Sequence, residues 1–148
     1  MISYASVEIK MEQEELTPSD NPTTVINVNQ TVRPGNFDTV NKYVLDGETR
    51  YDTVPIFGAM SMRAHYVSMA EVSEEDLMGH QIERTEATDE RIGIKEITEG
   101  VNTGWKTTAI WAFEEVNGEK RFCKYCTTIK EDGKVQVRLV YDYKPLPT

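Results

Sequence analysis

A chain of 148 residues suits one domain with a core of its own. Its net charge of −9 argues against nucleic acid or an anionic membrane surface as a partner, because both need a basic footprint. No apolar run approaches the roughly 20 residues of a membrane helix. The opening MISYASVEIK lacks the charged-then-apolar layout of a secretory signal, so a cytoplasmic protein is expected.

Residues 2–12 alternate between Ser3, Ala5, Val7, Ile9, Met11 and a more polar set, which predicts a half-buried strand. A polar loop from Gln13 to Pro22 leads into a second strand over 23–33, with Ile26, Val28 and Val32 on one face. Pro34-Gly35-Asn36 predicts a turn, residues 37–45 a third strand, and Asp46-Gly47 another turn. Residues 47–55 are left open, since Pro55 forbids a central strand there. A long strand is expected over 56–68, with Met60, Met62, Ala64 and Tyr66 alternating with Ser61, Arg63, His65 and Val67. Ser73-Glu74-Glu75-Asp76 can cap one helical turn. Residues 77–84 and 91–99 read as two shorter strands, with polar residues 85–90 between them.

The stretch from Gly104 to Tyr143 carries the strongest pattern. Asn117-Gly118 and Asp132-Gly133 are two-residue hairpin signals, because a tight I′ turn needs positive φ at its centre. The first turn pairs Val116 with Glu119, Glu115 with Lys120, Glu114 with Arg121, Phe113 with Phe122 and Trp111 with Lys124. The second, centred on Asp132-Gly133, pairs Glu131 with Lys134, Cys126 with Leu139, Lys124 with Tyr141 and Phe122 with Tyr143. Side chains alternate along a strand. One face of this meander therefore carries Ala109, Trp111, Phe113, Phe122, Lys124, Cys126, Thr128, Val135, Val137, Leu139, Tyr141 and Tyr143. It is apolar and aromatic with one cation, and is expected to be the buried face. The other carries Ile110, Ala112, Glu114, Arg121, Cys123, Tyr125, Thr127, Gln136 and Arg138.

Cys123 and Cys126 have CxxC spacing, but positions i and i+3 of a strand point to opposite faces, so packing roles are expected rather than a metal or disulfide site. His65 is expected on the outer face of its strand; with Arg63 it would form an anion-binding or acid/base pair only if that face lined the interior. His80 lies near a turn. The acidic pairs Glu74-Glu75 and Glu114-Glu115 are expected to be solvated. No catalytic triad, metal-ligand spacing or phosphate loop is present, so no cofactor is expected.

About nine strands with short connections predict an all-β, single antiparallel up-and-down β-barrel, since closure removes sheet edges. At this point Gly104-Trp105, the run from Ile110 to Glu114, the run from Glu119 to Phe122 and the run from Val137 to Tyr141 resemble the calycins. The likeness is to the fungal lipocalin-like proteins built on the fatty-acid-binding-protein barrel. It extends more loosely to residues 2–7 and 56–58. The resemblance implies a barrel with an internal apolar cavity. Two departures stand out: the family's first strand and helical lid have no counterpart here, which leaves room for a second copy, a homodimer, to complete the structure. The family's Arg-x-Tyr carboxylate clamp also becomes Arg138-Leu139-Val140-Tyr141, which sends Arg138 outward and leaves Tyr141 inward, so a fatty acid is not the implied ligand.

Lys124 and Tyr141 are the candidate chemical pair, expected to hold a carboxylate, enol or 1,3-dicarbonyl oxygen. Trp111, Phe113, Phe122 and Leu139 are expected to form the bed for the ligand's apolar body, with Met60, Met62 and Tyr66 as further lining. The competing reading is that Lys124 extends to water from a barrel rim. The expected function is binding of a small hydrophobic molecule with a polar or acidic group, a secondary metabolite in character. The alternative is a cofactor-independent cyclase, isomerase or pericyclase using the same cavity. A third expectation is an oligomeric scaffold pairing through an open edge.

Overall fold

The computed structural model describes residues 6–16, 23–35, 37–54, 58–79 and 92–142. The chain is all-β. Its strands are β1 (Ser6–Leu16), β2 (Thr23–Arg33), β3 (Phe37–Val44), β4 (Arg50–Val54), β5 (Gly58–Ser68), β6 (Ile92–Gly100), β7 (Trp105–Val116), β8 (Glu119–Lys130) and β9 (Gly133–Asp142). The helical piece among the described residues is a 3-10 turn at Met69–Glu71. The expected features at Tyr143, His80, residues 85–90 and residues 55–57 lie outside the described residues. No helix among those described is long and apolar enough to cross a membrane.

Two compact units divide the chain between Glu48 and Thr49. The first is a three-stranded antiparallel sheet in the order β1-β2-β3. Its central strand is the buried one, with Val25 fully enclosed and Ile26 and Val28 close to it, while β1 is largely exposed. The Asp46 side chain accepts a hydrogen bond from the Glu48 amide at 2.9 Å, the local device that turns the chain at Asp46-Gly47.

The second unit is a six-stranded antiparallel sheet in strict chain order, β4 to β9. The segment after Gly47, which the sequence pattern leaves open, supplies its short edge strand β4, ending at Val54, just ahead of Pro55. The Asn117-Gly118 turn forms as the pattern demands, with φ of 52° and 81°, and sets the pairs Phe113 to Phe122 and Trp111 to Lys124. The second hairpin is displaced. Its turn residues are Glu131 and Asp132, with Glu131 at φ 53°, and Lys130 pairs with Gly133. The β8–β9 register therefore lies two residues from the expected one: Lys124 pairs with Leu139 and Phe122 with Tyr141. A shift of two leaves every side chain on its expected face.

Ala109, Trp111 and Phe122 of the expected inner face are buried, but the opposite face of this sheet is packed as well. Ile110, Ala112, Cys123 and Tyr125 form the buried cluster, and they lie on the face opposite Trp111. Their cover is the strap over residues 69–79, which contributes Met69, Val72 and Leu77. The sequence pattern placed Leu77 at the start of a strand; instead residues 74–79 form a turn, capped by Ser73, whose hydroxyl accepts from the Asp76 amide at 3.1 Å. Leu77 then points into the cluster, where burying such a side chain contributes about 1.5–3 kcal/mol. Gly93 lets the strap come close: a Cβ there would lie 2.6 Å from Met69 Sδ. Lys95 to Asp76 at 3.6 Å and Lys134 to Glu75 at 2.8 Å tie the strap to the sheet at its margins.

Candidate functional site

The Trp111 face is built from transverse rows of directly paired residues. One row reads Tyr66, Ile94, Trp111, Lys124, Leu139 from β5 to β9. The neighbouring row reads Ala64, Glu96, Ala109, Cys126, Val137, and on the other side Phe113, Phe122 and Tyr141 line up. Four of the expected ligand contacts, Tyr66, Trp111, Lys124 and Leu139, thus share one row, and Phe113, Phe122 and Tyr141 form the next. Met62 and Met60 lie on the same face but farther along β5; Met60 is six residues from Tyr66, about 20 Å along the strand. The structure does not bring them to the Lys124 group.

Around Trp111 the face is tightly joined. Phe122 sits at the centre of an aromatic cluster, edge-on to Trp111 at 6.2 Å between centroids and tilted against Phe113 at 5.5 Å and Tyr141 at 5.7 Å. The Lys124 ammonium stands 4.8 Å from the Trp111 ring centroid, an attractive cation–π placement that answers how a cation is accommodated here. Tyr141 is a diagonal neighbour of Lys124 rather than its cross-strand partner, a correction that follows from the displaced second hairpin. Burial pushes the Tyr141 phenol above its ordinary pKa.

Glu96 completes the group, and its role escaped the sequence pattern. Its Oε2 accepts a hydrogen bond from Trp111 Nε1 at 3.0 Å, and its Oε1 accepts from Thr98 Oγ1 at 3.5 Å. Burial raises its pKa, while the Lys124 charge and these two hydrogen bonds pull the other way. The available signal was register: the short turn after Gly100 sets Glu96 opposite Ala109, one diagonal step from Trp111. Cys126 is half-buried beside this pair, its thiol raised by burial, with Lys124 lowering it and Glu96 raising it.

Away from this group the Trp111 face opens. Phe113 is 45 % exposed and Val135 62 %, with Tyr66, Val137 and Leu139 also exposed, against 4 % for Trp111 itself. An apolar patch beside a half-buried carboxylate and an ammonium can hold an apolar body and orient one polar group.

The Ile110 face carries a different polar set. Glu114, expected to be solvated, is buried. The Tyr125 hydroxyl donates to it, with its two carboxylate oxygens at 2.7 and 2.6 Å. Arg138 Nε donates to the Tyr125 oxygen at 3.3 Å, and its Nη2 lies 3.7 Å from Glu114. Arg138 and Tyr141 do point to opposite faces, as expected, but Arg138 points toward the packed side. Cys123 is fully enclosed there and its thiol is pushed up to about 12, chiefly by burial, while Cys126 faces the other way; both are free thiols. His65 also lies on this face and is half-buried, with Arg63 exposed. Among the described residues no three His, Cys, Asp or Glu side chains are placed to hold a metal ion.

Fold and site together define an all-β protein of antiparallel meanders with an aromatic, charge-bearing sheet face. No protein-family model matches the chain, and no curated protein or solved structure does either.

Proposed function

We propose that the Trp111 face binds a small hydrophobic molecule carrying a polar group. Trp111, Phe113, Phe122, Tyr141, Leu139 and Tyr66 make the bed, and Lys124 engages an oxygen of the polar group. The observation that carries this reading is the exposed apolar patch centred on an ammonium and a carboxylate that are held by the same indole. An exposed patch of this kind is the usual mark of a contact surface, and fixed polar groups inside it give orientation. Two antiparallel meanders, of three and of six strands and each in chain order, are compatible with a calycin-like frame. The negative net charge supports a small-molecule partner over a nucleic acid.

The test is titration with the neutral dye Nile red, followed by quenching of tryptophan emission, with Trp111→Phe to assign the signal. Lys124→Ala is expected to weaken binding by roughly tenfold, the scale of a hydrogen bond to a charged group. Binding that ignores this substitution removes Lys124 from the site; failure of the dye to bind removes the reading itself.

Glu96 favours a second reading, a cofactor-independent isomerase. With Lys124 holding a ketone oxygen, the Glu96 carboxylate would take a proton from the carbon between carbonyl and alkene, and return it to the far alkene carbon. The electron pair moves through the enolate, the double bond shifts into conjugation, and no oxidant or cofactor is consumed. Incubation with an aryl β,γ-unsaturated ketone tests it: conjugation that outpaces buffer and is lost in Glu96→Gln marks an enzyme, and an unchanged rate marks a binder.

A further inference from the structure

Two charges of opposite sign bracket one indole. Glu96 holds the N–H edge of Trp111, and Lys124 stands over its ring. The surroundings are poor in water: Ala64, Ala109 and Phe122 are all buried and lie in these same rows. The other polar groups on this face include Thr98, Cys126, Tyr141, the Thr107–Thr128 hydroxyl pair at 2.8 Å, Glu115 and its cross-strand partner Lys120, whose ammonium is taken up 4.9 Å over the Phe113 ring at the exposed end, and, toward the far ends of the strands, Arg50, Asp52 and Lys130. Of the charged groups on this face, Lys124 is the one whose charge acts on Glu96.

This pairing constrains the ligand. A free carboxylate that came to Lys124 would bring a second anion beside Glu96, in a setting where water screens the repulsion poorly. A group that accepts from Lys124 and donates to Glu96 adds no charge and leaves both residues satisfied. We propose that the molecule taken by the Trp111 face is electrically neutral, with a hydrogen-bond acceptor for Lys124 and a donor for Glu96, as in an enolised 1,3-dicarbonyl or a hydroxy ketone. Glu96 is then the specificity residue that excludes free carboxylates. The inference rests on the binding reading above and narrows its polar or acidic group to a neutral one.

Three probes of matched size test it at pH 7: 1-phenylbutane-1,3-dione, 4-phenylbutanoate and butyrophenone, followed by tryptophan quenching. The wild-type protein is expected to bind the dione at least roughly tenfold more tightly than the carboxylate, and more tightly than butyrophenone, which has no donor. Glu96→Gln keeps an oxygen for the Trp111 N–H, and is expected to bring the carboxylate to within about twofold of the dione or above it. Equal or tighter carboxylate binding by the wild type overturns the inference and leaves the binding reading standing, as does a ratio unchanged in Glu96→Gln. Binding of none of the three overturns both. The wild-type ratio stands alone as a test if the variant fails to fold.

Discussion

Tyr125 shows how much one hydroxyl decides. It is fully enclosed, and it donates to the buried Glu114 carboxylate, which also has Arg138 3.7 Å away. Tyr125→Phe removes the donor and leaves the acceptor with Arg138 alone of the two, so a loss of about 1.5–3 kcal/mol is expected in urea unfolding, the scale of a hydrogen bond to a charged group. Combining it with Glu114→Gln is expected to cost less than the two single losses added, because both act on one contact. Neither the burial of Glu114 nor the half-buried place of Glu96 was legible in the sequence. Each sits in phase with apolar neighbours on its own strand, Glu114 with Ile110 and Ala112, Glu96 with Ile94, but a charged residue in such a phase reads as a strand end or a solvated break. What stabilises each is a partner on another strand, Tyr125 or Trp111, and only the register brings the two together.

At the scale of single elements, most of the strands were legible, because alternation and turn residues are local signals. The span of β2, the Asn117-Gly118 turn and the β7–β8 register follow from them directly. The second hairpin shows where local signals mislead. Asp132-Gly133 is the better turn dipeptide, yet the chain turns at Glu131-Asp132 and places Gly133 in the strand, which puts Leu139 beside Lys124 and Tyr141 beside Phe122. That register leaves Glu131, which has a Cβ, in the left-handed region at φ 53°. Glu131→Gly relieves this conformation, and after the greater chain entropy of glycine is subtracted, a gain of roughly 0.5–1 kcal/mol is expected in the same unfolding assay. Destabilisation by that substitution would mean that the turn does not adopt the left-handed conformation in solution. The strap was illegible for a different reason: Leu77 and Met78 read as the start of an apolar strand, and nothing local says that they cover a sheet face instead.

For the whole molecule, the two faces of the β4–β9 sheet do different work. The strap covers the central cluster of the Ile110 face, which carries its own polar set, whereas the Trp111 face keeps apolar surface exposed near Glu96 and Lys124. Holding a carboxylate on the open face has a consequence for the stability of the whole chain. Burial raises the Glu96 pKa above its ordinary value of 4.5, so the folded protein binds that proton more readily than the unfolded chain. The stabilisation from protonated Glu96 is complete below that value and is lost as pH rises through the folded-state pKa, so the ionised group opposes folding at neutral pH. Glu96→Gln removes the titration. The variant is therefore expected to be more stable than the wild type at pH 7, with the difference shrinking toward pH 4, as measured by urea midpoints at the two pH values. The many exposed carboxylates behind the −9 charge titrate in both proteins, so their effect cancels in the difference. A variant less stable than the wild type at pH 7 would mean that Lys124 and the Trp111 N–H outweigh desolvation. The carboxylate would then be a structural anchor for the indole, and the open face would lose the one group that discriminates against anions.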